Sequence, residues 1–476
     1  MTEQGSLRPL CVDLDGTLIR SDLLADGIAG LLTHPLLLLG ALAALPDRAA
    51  FKARIAATGN IRVELLPYSE DLLERLRAER SQGRRLVLAT AADLSLAHRV
   101  ADFLGLFDEV IGSEPGRNLK GSAKAAALVE RFGVGGFDYA GNSHADLPIW
   151  RQAAAAWVVN APRDLAAVVR TTTPVVYETH AAKSFSALLS AIRPHQWSKN
   201  ALVFVPIITA HAMLNGGDWV RGMAAFIAMS ATASAIYLFN DLTDIEADRA
   251  HSRKRYRPFA AGTLQIPTGM MALLALLTLG LAAAITTGVG WLVLGYAALS
   301  ISYSFRLKEL PLVDAFVLSG LYTLRLITGG VATGHPVTLW LLAFSSFVFL
   351  GLSFMKRVDE LERLDATADA RVARRGYVVD DLSALQGFGV GASFASAIVL
   401  ALFVQNEATV QRYAAPNLLW TIVPLMLFWQ CRLWLAVGRR YMHHDPIVYA
   451  MRDWVSWAVA IATAAVLVAA KSGPPW

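Results

Sequence analysis

The pattern of apolar and polar positions changes part-way along the chain. Residues 1–185 alternate short apolar stretches with charged and polar positions, whereas from about Ala201 apolar runs of about 20 residues recur to the end. The first pattern predicts strands alternating with helices, an α/β soluble domain. The second predicts helices that cross a hydrocarbon core of about 30 Å. Nine such runs are expected, near 201–215, 219–239, 267–285, 288–305, 311–331, 337–355, 383–404, 417–435 and 454–470. The 476 residues therefore divide into a soluble domain and an all-α polytopic membrane domain.

Charge gives the membrane domain a direction. The ends and loops after the second, fourth, sixth and eighth runs hold most of the basic residues, whereas the opposite ends hold Arg221, Arg412 and Lys471. The positive-inside rule then places the basic loops and the N-terminal domain in the cytoplasm of a multi-pass protein of the inner cell membrane, with the C-terminus outside. The formal charge of +5 is explained by this topology and argues against nucleic acid as a partner. Cys11 and Cys431 are too few and too far apart for a disulfide framework or a zinc knuckle. The polar first residues are unlike a secretory signal. The apolar stretch 27–45 would split the soluble domain if it crossed a membrane, so it is expected as a helical hairpin or cap against the membrane surface.

Chemistry in the soluble half begins with "LCVDLDGTLIR", a buried strand ending in Asp13 and Asp15 and a glycine turn. Two carboxylates on one side of an extended segment can hold a hard cation and offer one oxygen as a nucleophile. Further along, "RRLVLATAA" ends a strand near Thr90, "NLKGSAKAAAL" puts Lys120 and Lys124 near a helix start, and "FDYAGNSHADLPIW" follows a strand with Asn142 and Asp146. Polar residues at the C-terminal ends of alternating strands describe an open parallel sheet with its ligand site at that edge. The order of these motifs over about residues 8–165 resembles the haloacid dehalogenase (HAD) superfamily of phosphatases. The resemblance implies that Asp13 attacks phosphorus and that Asp15 serves as general acid and then base. It further implies that Thr90 and Lys124 neutralise phosphoryl oxygens, and that Asp13, Asp15, Asn142 and Asp146 surround one Mg²⁺. Asn142 stands where the family usually has Asp, which removes one formal charge but leaves an amide oxygen. Residues 23–66 would form a small cap.

Residues 166–190 lose strong periodicity and are expected as a linker and interfacial helix, domain one being 1–165 and the membrane domain 191–476. At the end of the second run stands "NDLTDIEADR", with Asp241, Asp244 and Asp248 spaced three and four apart, one face of a continuing helix. Like charges stacked this way call for a cation, and the basic residues of "RAHSRKRYRPFAAG" suit phosphate oxygens that a metal does not reach. The motif is similar to the NDxxDxxxD signature of the UbiA-type intramembrane prenyltransferase superfamily, a nine-helix fold in which it holds Mg²⁺ on a diphosphate. The match covers roughly 185–476.

In that superfamily the aromatic prenyltransferases place a second DxxxD at the end of the sixth span. Here Lys356 and Arg357 stand there, and Asp365 and Asp369 come about two turns later. The stretches "RPHQWSKN", "SYSFRLKELPLVD" and "FMKRVDEL" resemble instead the decaprenyl-phosphate phosphoribosyltransferase branch, which takes 5-phosphoribosyl diphosphate (PRPP) and a polyprenyl phosphate. That resemblance implies at least one Mg²⁺ held by Asp241, Asp244 and Asp248. Arg193, Lys199, Asn240, Lys254, Arg255, Arg257, Tyr303, Lys308, Lys356 and Arg357 would hold substrate phosphates, with Arg193 and Lys199 on the lipid phosphate. The two halves together suggest a bifunctional enzyme whose HAD part removes the 5-phosphate. The alternative is an aromatic prenyltransferase using polyprenyl diphosphate beside a regulatory or relic HAD domain. An oligomer is compatible with either.

Overall fold

The computed structural model describes residues 7–42, 51, 54–55, 57–58, 61–114, 116–181, 184–363, 375–442 and 445–473. The chain packs as two compact units, one of Met1–Arg193 with Tyr237–Leu274 and one of Pro194–Ile236 with Ala275–Trp476.

The first unit is built on six parallel strands: β1 (Leu10–Val12), β2 (Leu86–Asp93), β3 (Glu109–Ser113), β4 (Asp138–Gly141), β5 (Ala156–Ala161) and β6 (Val175–His180), in the order β3-β2-β1-β4-β5-β6. Every strand is parallel to its neighbours, so both faces must be covered. Period-two alternation sorts the residues accordingly. Leu10, Val12, Leu86 and Leu88 face one apolar core, with Leu72, Leu76, Leu96 and Val100 from helices Glu70–Ser81 and Leu94–Leu104. Cys11, Val87, Tyr139 and Val158 face the other, with Leu128, Trp150 and Leu165. The strand order reverses at β1 and β4, and the C-terminal edge of an open α/β sheet opens a crevice at that point.

Local signals start and stop these elements. The Asp93 carboxylate accepts from the amides of Ser95 and Leu96 at the start of Leu94–Leu104, and Gly105 ends that helix in the left-handed region, φ 62°. Residues 166–190 differ from the expected linker. They hold the end of helix Arg163–Arg170, then β6, then helix Ser184–Ile192. Pro174 breaks the chain just before an alternating "VVYETH", and β5 provides the partner that turns such a stretch into an edge strand. The stretch 27–45 lies in helices Leu23–Leu31 and Pro35–Leu42, and the rest of it falls outside the described residues, as does part of the expected cap 23–66.

Among the described residues seven helices are long and apolar enough to cross a membrane: Gly216–Thr243, Ile266–Thr286, Val313–Thr333, Leu339–Glu362, Val379–Gln405, Pro416–Gly438 and Trp454–Ser472. Of the nine expected spans, 288–305 is a shorter apolar helix, Gly290–Phe305. The other, 201–215, is tight helical turns over Pro194–Phe204 followed by the short helix Val205–Thr209. Pro194 and Pro206 remove backbone donors there, and Gly216 and Gly217 start the next helix, so a single long helix does not form. Within the second unit, Tyr322, Phe349, Leu352, Phe354, Leu385 and Leu433 form a common core. Side-chain bonds tie its helices together: Trp434 Nε1 donates to Ser393 Oγ at 3.0 Å and Gln430 Nε2 to Ser396 Oγ at 2.9 Å.

Candidate functional site

At the sheet's switch point Asp13 follows β1, Thr90 lies on β2, and Asn142 and Asp146 follow β4. Lys124, in the first turn of helix Ser122–Phe132, donates from Nζ to Asp13 Oδ1 at 2.7 Å and to the Tyr139 hydroxyl at 3.0 Å. The Tyr139 hydroxyl donates in turn to Asp146 Oδ1 at 3.0 Å. Asp146 Oδ2 accepts from the amides of Asn142 and Ser143 and from the Ser143 hydroxyl, at 3.1, 2.9 and 3.0 Å. Lys124, not Lys120, therefore reaches the nucleophile candidate, and one oxygen of Asp146 is fully engaged by its own turn. Thr90 Oγ1 accepts from the Ala92 amide at 3.0 Å. Gly16 has φ +76°, and a Cβ there would stand 2.1 Å from Asn142 Nδ2, so the DxDGT loop can only close on Asn142 with glycine at this position.

Burial and charge set the protonation of the two acids. Asp13 is pushed up to about 6, first by burial and then by Asp146, against the pull of Lys124. Asp15 is raised well above its ordinary value, chiefly by burial and by Asp22, while Oδ1 accepts the Leu23 amide at 2.9 Å. A carboxyl whose neutral form is favoured by burial is suited to giving a proton to a leaving oxygen. The crevice is a cavity of about 540 Å³ lined by Asp13, Asp15, Lys120, Lys124, Asn142 and Asp146.

The second acidic group also lies in the first unit. Helix Gly216–Thr243 ends just before Asp244, and a short helix, Ile245–Ala250, follows. The three aspartates thus flank a helix break, which corrects the expectation of one continuing helix face. Asp241 and Asp248 are buried and share one cation: Arg257 Nη1 donates to Asp241 Oδ1 at 3.1 Å and to Asp248 Oδ2 at 2.8 Å. Arg193 Nη2 donates to both oxygens of Asp241, at 2.6 and 2.9 Å, and its guanidinium lies over the Tyr237 ring. Arg193 holds φ 52° directly before Pro194, a conformation costly for any residue with a side chain. Arg255 bonds the Tyr256 hydroxyl at 2.8 Å and, like Lys254, is exposed. Asn240 lies near the end of the long helix.

In the second unit the remaining expected phosphate binders fall into two groups. Lys199 and Lys356 both donate to Asp445 Oδ2, at 2.9 and 3.0 Å. Buried Arg357 forms an ion pair with Asp314 at 2.7 Å, bonds Tyr303 at 3.0 Å and also pairs with Glu360. Arg375 reaches the same Tyr303 hydroxyl at 3.0 Å. Arg325, inside a span, donates to Asn200 at 2.7 Å and to the Tyr296 hydroxyl at 3.1 Å, so its charge is hydrogen-bonded by neutral groups, whereas Asp314 in the same helix meets Arg357. Lys308 lies in the turn Leu307–Glu309. Asp365 and Asp369 lie outside the described residues.

Tyr139, Asp445 and Asn160 escape the sequence reading. Tyr139 reads as a core aromatic, although a buried phenol requires a polar partner. Asp445 precedes Pro446 and reads as a helix cap, which it also is. Asn160 holds the DxDGT loop, donating to Gly16 O at 3.3 Å and to Ser69 Oγ at 2.8 Å.

Hard oxygen donors converge at both acidic groups, Asp13 with Asp146 and Asn142 in one and Asp241 with Asp248 in the other. Among the described residues no three His, Cys, Asp or Glu side chains do so. Mg²⁺ takes one or two carboxylates and completes its shell with water and substrate phosphate, so both groups fit that ion.

An open parallel α/β sheet with a buried Asp-Lys pair, in one chain with apolar membrane-crossing helices and an acidic motif, defines a membrane-embedded, multi-pass enzyme. The chain belongs to the UbiA prenyltransferase family, which matches residues 202–471, and carries a haloacid dehalogenase-like hydrolase region at residues 10–151. It is 37% identical over 477 residues to the protein y4nM of Sinorhizobium fredii, covering 97% of this chain and 91% of that one. It is 35% identical over 289 residues to the nodulation protein NoeC of Azorhizobium caulinodans, covering 60% of this chain and 93% of that one. A third relative, decaprenyl-phosphate phosphoribosyltransferase of Mycobacterium tuberculosis, is 36% identical over 198 residues, which span 40% of this chain and 65% of the relative's own length.

Proposed function

We propose that this protein transfers 5-phosphoribose from PRPP to a polyprenyl phosphate and that its HAD part then removes the 5-phosphate, leaving polyprenyl-phosphoryl-ribose. The observation that carries the transfer step is the pair Asp241 and Asp248 bridged by Arg257, with Arg193 on Asp241. Two carboxylates already matched by guanidinium groups suit a ligand that brings both a metal and several phosphate oxygens. The phosphoribosyltransferase relative supports the choice of substrates.

Bound Mg²⁺ would neutralise charge building on the departing diphosphate. Arg257 and Arg193 would turn from carboxylate to phosphate oxygens as the ligand arrives. An oxygen of the lipid phosphate attacks C1 of the ribose, the C1–O bond to diphosphate breaks, and no strong base is needed because the attacking oxygen is anionic. Lys199, Lys356 and Asp445 supply a cationic group suited to a phosphate.

At the HAD site Asp13 attacks the 5-phosphorus, Asp15 gives its proton to the ribose oxygen as the P–O bond breaks, and Lys124 balances charge on the phosphoryl oxygens. Water then attacks the aspartyl-phosphate, with Asp15 taking its proton, and phosphate leaves. The basic loops support a cytoplasmic setting for both steps at the inner membrane.

Incubating the purified protein with PRPP, Mg²⁺ and polyprenyl phosphate and following the lipid by mass spectrometry tests both steps. Ribosyl lipid without its 5-phosphate is expected. Prenylation of an aromatic acceptor when prenyl diphosphate replaces PRPP, with no ribosyl lipid in the first assay, would sink the reading.

A further inference from the structure

The cavity above Asp13 is not walled by the HAD region alone. Phe259, Gly262, Leu264, Gln265, Ile266 and Pro267, which follow the acidic motif, line it as well. Ile266 and Pro267 are the first residues of Ile266–Thr286, a helix long and apolar enough to cross a membrane. One wall of a hydrolytic cavity is therefore the beginning of a membrane span.

Two contacts hold this wall in place. Arg249 donates from Nε to Ala260 O at 3.2 Å and from Nη2 to both oxygens of Asp26 at 3.1 Å. That ion pair is buried, with side chains 6% and 4% exposed. Asp26 belongs to helix Leu23–Leu31, whose first residue bonds Asp15 and also lines the cavity. Arg249 thus ties together two sides of the same cavity. Gly262, φ +69°, comes so close that a Cβ on it would stand 2.7 Å from Arg20 Cβ and 2.9 Å from the Arg20 carbonyl carbon.

Charge within the cavity adds to the picture. Besides Lys124, already paired with Asp13, Arg20 and Lys120 line it, together with the carboxylates of Asp22 and Asp93. A substrate carrying a second anionic phosphate beyond the one being cleaved would meet these cations, and an attached apolar chain would meet Phe259, Leu264 and Ile266.

Resting on the phosphatase reading above, we infer that segment 259–267, clamped by Arg249, is the specificity-determining wall of the HAD site and selects phosphomonoesters anchored in the bilayer over freely diffusing sugar phosphates. Arg249 and Asp26 are positioning residues. Leu264, Ile266 and Pro267 touch the apolar part of the substrate.

The test measures binding to full-length protein in nanodiscs with Mg²⁺ and the Asp13→Asn substitution, so that nothing is turned over. Three probes are used: polyprenyl-phosphoryl-5-phosphoribose, ribose 5-phosphate and a dialkylglycerol phosphomonoester. Both lipid probes should bind at least about tenfold more tightly than ribose 5-phosphate. Adding Gly262→Ala or Arg249→Gln should cut that preference to below about threefold by weakening the lipid probes alone, and Ile266→Ser should do the same without touching the ion pair. Equal affinity for lipid and soluble probes, a preference that survives all three substitutions, or equal losses for every probe would overturn the inference. Indifference between the two lipid probes would count against ribosyl lipid as the substrate while leaving the membrane-facing wall intact.

Discussion

The two acidic groups of the first unit meet different cations, although burial raises the pKa of carboxyls in both. At the sheet edge, buried Asp13 pairs with Lys124, half-buried Asp15 accepts the Leu23 amide, and both are pushed toward the neutral form. At the helix break, Asp241 and Asp248 are also buried but are answered by two arginines that remain partly exposed, Arg193 at 24% and Arg257 at 30%. Under-neutralised carboxyls suit covalent chemistry, in which one must attack and the other must hold a proton. Carboxyls matched by partly exposed cations suit the exchange of those cations for a metal and a polyanion. The same residue type thus serves two kinds of chemistry because its surroundings differ.

Asp13→Asn breaks the comparison most sharply. It should lower 5-phosphate removal by about a thousandfold or more while leaving ribosyl transfer intact, so that mass spectrometry shows phosphoribosyl lipid accumulating. Asp241→Asn is the converse. Transfer should fall by on the order of 10²–10³, and release of phosphate from supplied phosphoribosyl lipid should continue. Arg257→Lys keeps a charge but loses the donor that bridges two carboxylates, so the KM for PRPP should rise by about tenfold with a smaller change in kcat. Tyr139→Phe removes the hydroxyl between Lys124 and Asp146. It should cost about 1 kcal/mol of thermal stability and slow the phosphatase step by less than Asp13→Asn does, and an unchanged rate would mean that the hydroxyl only fills space.

Where the candidate residues of the first site lie is largely legible in the sequence, because they stand near strand ends, where a few residues at fixed offsets meet once the sheet forms. Asp13, Asp15, Lys124, Asn142 and Asp146 each follow a strand or open a helix, whereas Thr90 lies within β2, which runs on to Asp93. Tyr139 was not readable, since its place on β4 has the same alternation as any core aromatic. Along the second half, hydropathy located the apolar helices well and their ends less well. The stretch 201–215 carries the composition of a span, but tight turns up to Phe204 and Pro206 just after it leave only a short helix, Val205–Thr209. Arg193 illustrates a different limit. Its position before "PHQW" suggested a phosphate binder, yet its chain conformation and its bond to Asp241 depend on residues almost fifty positions away.

Local pattern in the chain is enough to set the two-part character of this protein, the parallel α/β sheet, the succession of apolar helices and the acidic and basic motifs. All of these are encoded in patterns a few residues to about twenty residues long. Packing settled which cation each carboxylate meets, and that residues 259–267 help wall a cavity whose other lining residues lie more than one hundred positions earlier in the chain. Periodicity reports which face of an element is apolar. Ion pairing and cavity walls depend on which faces are brought together, and that is settled only when distant segments pack and exclude water.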